Sequence, residues 1–151
     1  MSPLVASPAV RISAKADYAV RALVVLARHA GTDAAPVTVD RIAREGDIPP
    51  RFLEGILAEV RRAGLVDSKR GAEGGYRMAH DPAEVRVADV VRVIDGPVIQ
   101  VAGRDPDDVD YPPSLVGISD VWRAAGAGAE RALEAVTLAD LLAGGAPDFQ
   151  I

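Results

Sequence analysis

Cysteine is absent from this chain of 151 residues, and long apolar runs are absent too. The lack of thiols excludes disulfide bonds, cysteine-held zinc or iron-sulfur clusters and a cysteine nucleophile. No run approaches the roughly 18 apolar residues that a membrane-spanning helix needs. Residues 1–10 lack the basic start and long apolar core of a secretory signal. These absences predict a cytoplasmic protein that has no membrane partner.

Histidine is scarce as well, which bears on catalysis. The chain contains two histidines, His29 and His80, and neither has a partner at catalytic spacing in the sequence. The Gly-Lys-Ser/Thr pattern of a phosphate loop is missing, and the glycines at 71–75 follow a β-like run without opening a helix. The sequence therefore predicts a protein that is not an enzyme, has no cofactor and carries both histidines on its surface.

Basic charge is in deficit overall, with a formal net charge of -5. Its distribution is uneven. Residues 11–80 contain 12 basic and 9 acidic residues, a net of +3, whereas residues 97–151 contain 3 basic and 9 acidic, a net of -6. The front half can therefore face phosphates while the rear half faces solvent. Arginine outnumbers lysine 15 to 2, but a GC-rich genome produces the same bias, so the bias decides nothing.

Apolar periodicity predicts three helices before the glycine-rich stretch. The first spans 13–30 with Ser13 as its N-cap, the second follows the cap Thr38 as far as Glu45, and the third spans about 50–63 after a turn at 47–50. The predicted inward stripe of the first helix is Ala16, Ala19, Val20, Leu23, Val24, Ala27 and Ala30. The predicted buried residues of the third are Phe52, Leu53, Ile56, Leu57 and Val60.

Two β-like runs with a glycine-rich tip follow the third helix. Leu65–Lys69 precedes the tip and Tyr76–Ala79 follows it, and the glycines between them permit the positive φ angles of a hairpin turn. By itself the stretch is equally typical of an ordinary hairpin with solvated charges. After a helix, a turn and a second helix, it predicts the wing of a winged helix-turn-helix, a DNA-reading fold. The predicted fold class is therefore mainly α with a small β-hairpin wing (α+β).

The third helix is the candidate recognition helix. Arg51 carries a guanidinium that can fork onto a guanine edge, and Glu54 can accept a hydrogen bond from a cytosine amino group. Gly55 and Ala58 have no reach, although their small size lets a helix sit deep in the major groove. The alternative for this face is a solvated helix surface with a charged rim.

The last third of the chain predicts a long dimerisation helix, because apolar residues from Ser114 to about Ala135 again step by three and four. The positions predicted to face a partner are Leu115, Ile118, Trp122, Ala125, Ala129 and Leu133. Trp122 is interpreted as an interface or core anchor, with the wall of a small-molecule pocket as the alternative. Thr137 caps a predicted short final helix at 138–142.

Five runs carry a family resemblance: 11–20, 48–57 with Phe52-Leu53-Glu54 inside it, 64–66, 70–76 and 87–96. Together, over about residues 11–143, they resemble the Rrf-two family of bacterial winged-helix repressors, which includes an iron-sulfur cluster regulator and a nitric-oxide-sensing repressor. The resemblance implies a homodimer that binds a roughly palindromic operator in double-stranded DNA.

The resemblance also assigns roles to residues. It implies that the start of the first helix contacts phosphates, that the recognition helix reads the major groove and that the wing tip enters the minor groove. The residues assigned are, in that order, Ser13, Lys15 and Tyr18; Arg51 and Glu54; Arg70 and Gly71. With their neighbours Gly55, Lys69, Gly74, Gly75 and Tyr76 they form the predicted DNA-binding set.

The sequence departs from the family pattern at three places. Gly55 stands where a glutamine that reads adenine is expected, and Glu73 puts a carboxylate at the wing tip, where it repels phosphates. The segment 95–113 has no thiol where sensing members carry three cysteines, so a cysteine-held cluster is excluded. The acidic residues at 105–110 could bind a hard cation, but Val109 breaks the calcium-loop pattern. The prediction is a solvated, mobile loop without a metal site.

The predicted organisation has five parts. They are a flexible leader (1–10), a winged helix-turn-helix domain (11–96), a loop in place of the cluster-binding region (97–113), a dimerisation helix with a terminal short helix (114–143) and a tail (144–151).

The predicted function is that of a homodimeric, DNA-binding transcriptional regulator, a repressor without an iron-sulfur cluster. The alternative keeps the winged-helix fold but acts through protein contacts with a partner enzyme. Three kinds of regulation fit the sequence equally: a small-molecule effector bound between the wing domain and the long helix, a partner protein, or no effector.

Overall fold

The structure is a computed structural model, and it describes residues 11–31, 33 and 35–144. The predicted leader and all of the predicted tail except Gly144 lie outside the described residues. Within the described ranges, six α-helices and one two-stranded antiparallel sheet make up the regular structure, together with two short 3-10 turns. The predicted fold class, mainly α with a β-hairpin wing, is confirmed.

The central element is helix α1 (Ala14–Arg28), against which four other helices and a strand of the wing pack. Ser13 caps it, as predicted, by accepting a hydrogen bond from the Ala16 N–H at 3.0 Å. The predicted inward stripe is too narrow, because α1 has neighbours on more than one side. Buried in addition are Ala22, Val25 and Leu26. Less buried than predicted are Val20, Val24 and Ala30.

The helix-turn-helix consists of α2 (Val39–Gly46) and α3 (Pro50–Arg62). Thr38 caps α2 through its side chain, as predicted, and Asp47 takes the left-handed conformation with a φ of 50° where the chain turns. Helix α3 buries one side in the core that α1 shares. Its buried residues are Leu53, Ile56, Leu57 and Val60.

The prediction that Phe52 is buried is wrong, because 40% of its surface is exposed. Phe52 follows the helix start by two residues and lies at the edge of the apolar side of α3. Its ring stacks on the partly buried Tyr18 of α1 instead of entering the core.

The wing is a hairpin of β1 (Val66–Lys69) and β2 (Gly75–Met78). Its second edge is held by Val37, which exchanges two backbone hydrogen bonds with Tyr76, at 2.7 and 2.8 Å. Gly75 has a φ of 155°, and a Cβ there would come within 2.3 Å of the Val37 carbonyl oxygen. Glycine at this position therefore allows the wing to pack against the chain just before α2.

Three helices complete the fold: α4 (Val87–Asp95), α5 (Gly117–Glu134) and α6 (Leu138–Leu142). Helix α4 was not predicted from periodicity. Helix α5 begins three residues later than predicted, because the chain after two prolines first forms a 3-10 turn at Pro113–Leu115. Helix α6 has the predicted cap, Thr137, and the predicted bounds.

The end of the described chain folds back onto the winged-helix region. Leu138 is fully buried in the same cluster as the core residues of α1 and α3. The Leu138 N–H donates to the Val85 carbonyl and the Val87 N–H donates to the Val136 carbonyl, each at 2.9 Å. Residues 136–142 therefore help to close the core on which α1 and α3 are mounted.

Candidate nucleic-acid interface

The outward face of α3 carries the predicted recognition residues. Arg51, Glu54 and Gly55 are all exposed, while the opposite side of the helix is buried. A Cβ built on Gly55 would meet no atom within 4 Å, so the surface beside Arg51 is open. An open, polar face at the start of a core-mounted helix is the arrangement with which helix-turn-helix proteins enter the major groove.

Two aromatic rings and two arginines form a column beside this face. The Tyr18 and Phe52 ring centroids are 5.7 Å apart, with an interplanar angle of 23°. The Arg51 guanidinium lies 4.7 Å from the Phe52 centroid, and the Arg21 guanidinium lies 5.6 Å from that of Tyr18. Stacking and cation–π attraction therefore fix the positions of the α1 and α3 side chains relative to one another.

Lys15, predicted to contact phosphate, is paired within the chain. Its ammonium lies 2.8 Å from Oε1 of Glu59 on α3. The second carboxylate oxygen, Oε2, is buried and has no hydrogen-bond partner among the described residues. A phosphate would have to compete with Glu59 for Lys15, and Lys15 also neutralises a carboxylate that has one oxygen buried.

Ser13, the other predicted phosphate contact at the start of α1, is engaged as a structural residue. Its hydroxyl accepts from the Ala16 N–H and donates to Oδ1 of Asp95, and its backbone N–H donates to Oδ2 of the same carboxylate at 3.1 Å. These bonds tie the start of α1 to the end of α4. They leave the Ser13 hydroxyl little freedom to reach a ligand.

The wing divides its predicted residues into two groups. Lys69, Arg70 and Gly71 are exposed at the tip, as is Glu73. The residues that shape the hairpin are only partly exposed; these are Gly74, Gly75 and Tyr76. The basic tip can contact a ligand, whereas the second group holds the wing in place.

A polar cluster joins the far end of α1 to α2. Nε2 of His29 and Nε of Arg41 each lie 2.9 Å from a carboxylate oxygen of Glu45. The hydrogen bond from His29 and then that from Arg41 lower the pKa of Glu45 below its ordinary value. The predicted surface position of His29 is only partly correct, because its side chain is 24% exposed and contacts Glu45. His80 is exposed, and its ring nitrogen lies 3.0 Å from the Gly64 carbonyl oxygen.

Helix α5 exposes most of its apolar residues. Ser119 is its only buried residue, while Val121 is 58% exposed and Trp122 is 36% exposed. Three of the six predicted partner-facing positions are exposed, namely Leu115, Trp122 and Ala125, and three are partly buried, namely Ile118, Ala129 and Leu133. The helix therefore presents an uncovered apolar side within a single chain.

Arg92 connects α4 to α5. Its guanidinium lies 2.6 Å from a carboxylate oxygen of Glu130 and 3.4 Å from one of Glu134. The hydrogen bond to Glu130 is the main reason that the pKa of Arg92 is raised. Arg86 adds a hydrogen bond to the Glu134 carbonyl. These contacts link the long helix to the winged-helix region.

The segment at 97–113 is only partly the solvated loop that was predicted. Val98, Ile99 and Pro106 are buried, because this segment packs against α5. Between the two lies an open cavity of about 330 Å³. Trp122 forms part of its wall and donates from its ring N–H to the Tyr111 hydroxyl at 3.1 Å. This wall position fits the second interpretation of Trp122, alongside its exposure on α5.

The polar side chains around this cavity are engaged with one another. Asp107 pairs with Arg123 at 2.6 Å, which raises the pKa of Arg123. Glu130 pairs with Arg92, and the Asp105 carboxylate accepts a hydrogen bond from the Asp107 N–H. Among the described residues, no group of three His, Cys, Asp or Glu side chains could hold a metal ion.

Three residues that belong to these surfaces were missed in the sequence. Phe52 was assigned to the core, Arg21 was not considered, and Val121 was left out of the partner-facing set. Phe52 fits the apolar spacing of α3, so only its position beside Tyr18 in space reveals its exposure. Val121 offered a usable signal, since it lies four residues before Ala125 on the same side of a helix.

Comparison with known proteins places the chain in one family. The Rrf2 (Rrf-two) family model, described as an iron-dependent transcriptional regulator, matches residues 12–144. A Mycobacterium tuberculosis protein (strain H37Rv), provisionally named an HTH-type transcriptional regulator, is 44% identical over 138 residues, covering 91% of this chain and 84% of the relative. The HTH-type transcriptional regulator CymR of Bacillus subtilis is 29% identical over 131 residues, covering 87% of this chain and 88% of the relative.

Solved structures agree with this assignment. The structure of CymR, the global cysteine regulator of B. subtilis, matches with a TM-score of 0.72 and 27% identity over 90% of this chain and 98% of that one. The structure of T. potens IscR matches with a TM-score of 0.68 and 32% identity over 92% of this chain and 94% of that one.

In the described residues, no helix is both long and apolar enough to cross a membrane.

The residues do not fit the iron cofactor that the family description implies. The sequence contains no cysteine, and Asp107, the acidic residue of the 97–113 segment nearest α5, is paired with Arg123. The chain belongs to the Rrf2 family of transcriptional regulators, as a member without the thiolates that hold an iron-sulfur cluster.

Proposed function

We propose that this protein is a cytoplasmic transcriptional repressor that binds a roughly palindromic DNA operator as a homodimer. The observation that carries the proposal is the exposed start of α3, where Arg51 lies on the Phe52 ring beside the open surface at Gly55. This face is mounted on a core in which Leu53, Ile56 and Leu57 are fully buried, so it is presented rigidly. The helix-turn-helix names of the relatives support the same proposal.

In the proposed complex, α3 enters the major groove and Arg51 forms a bidentate hydrogen bond with a guanine. The Phe52 ring beneath the guanidinium restricts its orientation, which reduces the entropy lost on binding. Glu54, also exposed, is placed to accept from a cytosine amino group. Gly55 contributes no hydrogen bond, so the operator differs from those of relatives that carry a longer polar side chain there.

The wing supplies sequence-independent affinity. Lys69 and Arg70 lie at its exposed tip, and no carboxylate lies within salt-bridge distance of either among the described residues. Their charge is attracted to the phosphate backbone and to the minor groove. Glu73 on the same tip weakens this attraction. The contribution of the wing is therefore expected to depend steeply on salt.

The proposed dimer forms through α5. Val121 is the most exposed large apolar residue of the described chain, and Leu115 and Val116 next to the helix start are each 48% exposed. A second copy that packs its own α5 against this side would cover both apolar faces at once, as a twofold axis requires. Two recognition helices related by that axis then select a palindromic site.

Fluorescence anisotropy tests the proposal. The full chain is titrated against tiled, labelled fragments of its own upstream region at two salt concentrations, alongside Arg70→Glu and Arg51→Ala. Arg70→Glu is expected to weaken binding to all DNA and to lower the salt slope by about 1 or more, because a phosphate contact is lost. Arg51→Ala is expected to reduce discrimination between operator and random DNA by about 1 to 3 kcal/mol.

Arg28→Glu is the charge-matched control. Arg28 is exposed at the opposite end of α1 from Lys15, about 20 Å away by the rise of the helix. It should leave DNA binding nearly unchanged. Salt-insensitive binding, or equal effects of Arg70→Glu and Arg28→Glu, would contradict the proposal and favour the alternative in which the winged-helix fold acts on a partner protein.

A further inference from the structure

Phe52 combines exposure with a fixed position on the recognition helix. Most large apolar side chains that are exposed in the described chain lie at residue 93 or beyond, and the exceptions are Phe52, 40% exposed, and Ile12, 45% exposed. A single exposed apolar side chain does not by itself mark a binding surface. What distinguishes Phe52 is its place at the border of the polar face that the proposed function turns toward DNA, next to Arg51.

Two neighbours hold the ring in place. Tyr18 stacks on it with a centroid distance of 5.7 Å, and the Arg51 guanidinium lies 4.7 Å from its centroid. Arg21 in turn lies over Tyr18, so four side chains from α1 and α3 are linked. A ring held in this way loses little conformational entropy when it contacts a ligand.

The chemistry of the ring limits what it can read. Phenylalanine has no hydrogen-bonding group, so it cannot distinguish base edges by donors and acceptors. The one apolar group that base edges present in the major groove is the 5-methyl of thymine, which apolar side chains contact. The Arg51 guanidinium lies 4.7 Å from the Phe52 centroid, which is more than the rise of about 3.4 Å between successive bases of one strand and less than two such steps. The two side chains can therefore address neighbouring bases.

We propose that Phe52 is a specificity-determining residue whose ring contacts the 5-methyl group of a thymine adjacent to the guanine read by Arg51. The inference rests on the proposed function, since it requires operator binding through α3. It gives the operator a thymine–guanine neighbour pair in each half-site. It also assigns Tyr18 to support of the ring, in addition to any phosphate contact.

Replacing single thymines of the operator by deoxyuridine tests the proposal, because this change removes only the methyl group. Each substituted operator is titrated by anisotropy with the wild-type protein and with Phe52→Ala. Substitution at one position per half-site is expected to weaken wild-type binding about fourfold, because the favourable burial of one methyl group against the Phe52 ring is lost. The same deoxyuridine is expected to have no effect on Phe52→Ala, so the two changes couple in a double-mutant cycle.

A second variant separates contact from support. Phe52→Leu keeps an apolar side chain but loses the ring that lies between Tyr18 and Arg51, so it should retain part of the deoxyuridine effect. A deoxyuridine effect that is the same in wild type and Phe52→Ala at every position would overturn the proposal while leaving the repressor function intact. Wild-type protein that shows no operator preference at all would overturn both.

Discussion

The winged-helix region and helix α5 differ in how far one chain completes them. Helix α1 has 15 residues and buries seven of them, whereas α5 has 18 residues and buries only Ser119. Since α1 is covered on several sides, the front region is held by contacts within the chain. An amphipathic helix whose apolar side is uncovered needs a further partner to bury it. The comparison separates a region that is held by contacts within the chain from one that the proposed dimer would complete.

The basic side chains beside α5 and three of those in the front region differ in whether they have a carboxylate partner. Where α5 meets the rest of the chain, Arg92 of α4 and Arg123 of α5 each have a carboxylate oxygen at 2.6 Å. In the front region, no carboxylate lies within salt-bridge distance of Arg51, Lys69 or Arg70 among the described residues. The paired cations, Lys15 of the front region among them, join elements of the fold, whereas Arg51, Lys69 and Arg70 are the ones that the proposed function assigns to DNA.

The largest expected effect comes from a core residue of the front region. Leu57→Ala is expected to lower the free energy of unfolding by about 2–5 kcal/mol, because Leu57 is fully buried and the change leaves a cavity. Urea denaturation followed by circular dichroism measures it. Leu115→Ala is the matched control: at 48% exposure, it should cost much less when the protein is dilute. Equal losses for the two variants at low concentration would contradict the comparison.

A smaller effect is expected from a substitution in helix α5, whose apolar side is exposed in a single chain. Val121→Glu places a charge on the exposed apolar side of α5, where the proposed dimer would bury it, so dimerisation should weaken by about 1–3 kcal/mol or more. Sedimentation velocity across a concentration series measures the dissociation constant. Ala127→Glu, exposed between Arg123 and Arg131 on the polar side of the same helix, serves as control. A Val121→Glu protein with unchanged dissociation would show that α5 does not form the interface.

The sequence pattern predicted the helices that carry local signals such as capping residues. It did not predict side-chain exposure that depends on residues distant in the sequence. Ser13, Thr38 and Thr137 were identified as caps because capping is decided within a few residues. Phe52 was misassigned because its spacing fits a buried stripe, and exposure depends on where Tyr18 lies. The helix at 87–95 was missed because it follows Arg86, so it lacked the capping hydroxyl that marked the shorter helices α2 and α6 in the sequence.

The candidate site follows the same division. Arg51, Arg70 and Gly71 could be located from the order of the elements, because a recognition helix and a wing tip have fixed places in the fold. The internal partners of Lys15 and Ser13 could not be located, since Glu59 lies 44 residues after Lys15 and Asp95 lies 82 after Ser13. Pairings over such separations in the sequence are decided by tertiary packing, and the periodicity of apolar residues carries no information about it.

Glu59→Gln changes how the front region holds its cations. The substitution removes the charge that attracts Lys15 and leaves a neutral amide at a place where one carboxylate oxygen is buried without a partner. Lys15 is then available to phosphate, so affinity should rise modestly, by up to about 1 kcal/mol, for operator and random DNA alike. Anisotropy on both DNAs measures it. A gain restricted to the operator would be inconsistent with a phosphate contact.

The smallest expected effect concerns pH and the far end of α1. Bonds from His29 and Arg41 lower the pKa of Glu45 in the folded protein below its ordinary value of 4.5. A carboxylate with a lowered folded pKa stabilises the fold above its unfolded pKa, and this stabilisation is lost as pH falls through the folded value. Wild-type protein should therefore exceed Glu45→Gln in Tm at neutral pH, by an amount that shrinks once the pH falls below about 4.5. Because Glu45 is on the surface, salt should reduce the difference. A Tm difference that stays constant from neutral to acid pH would mean that the Glu45 charge does not support the packing of α2 on α1.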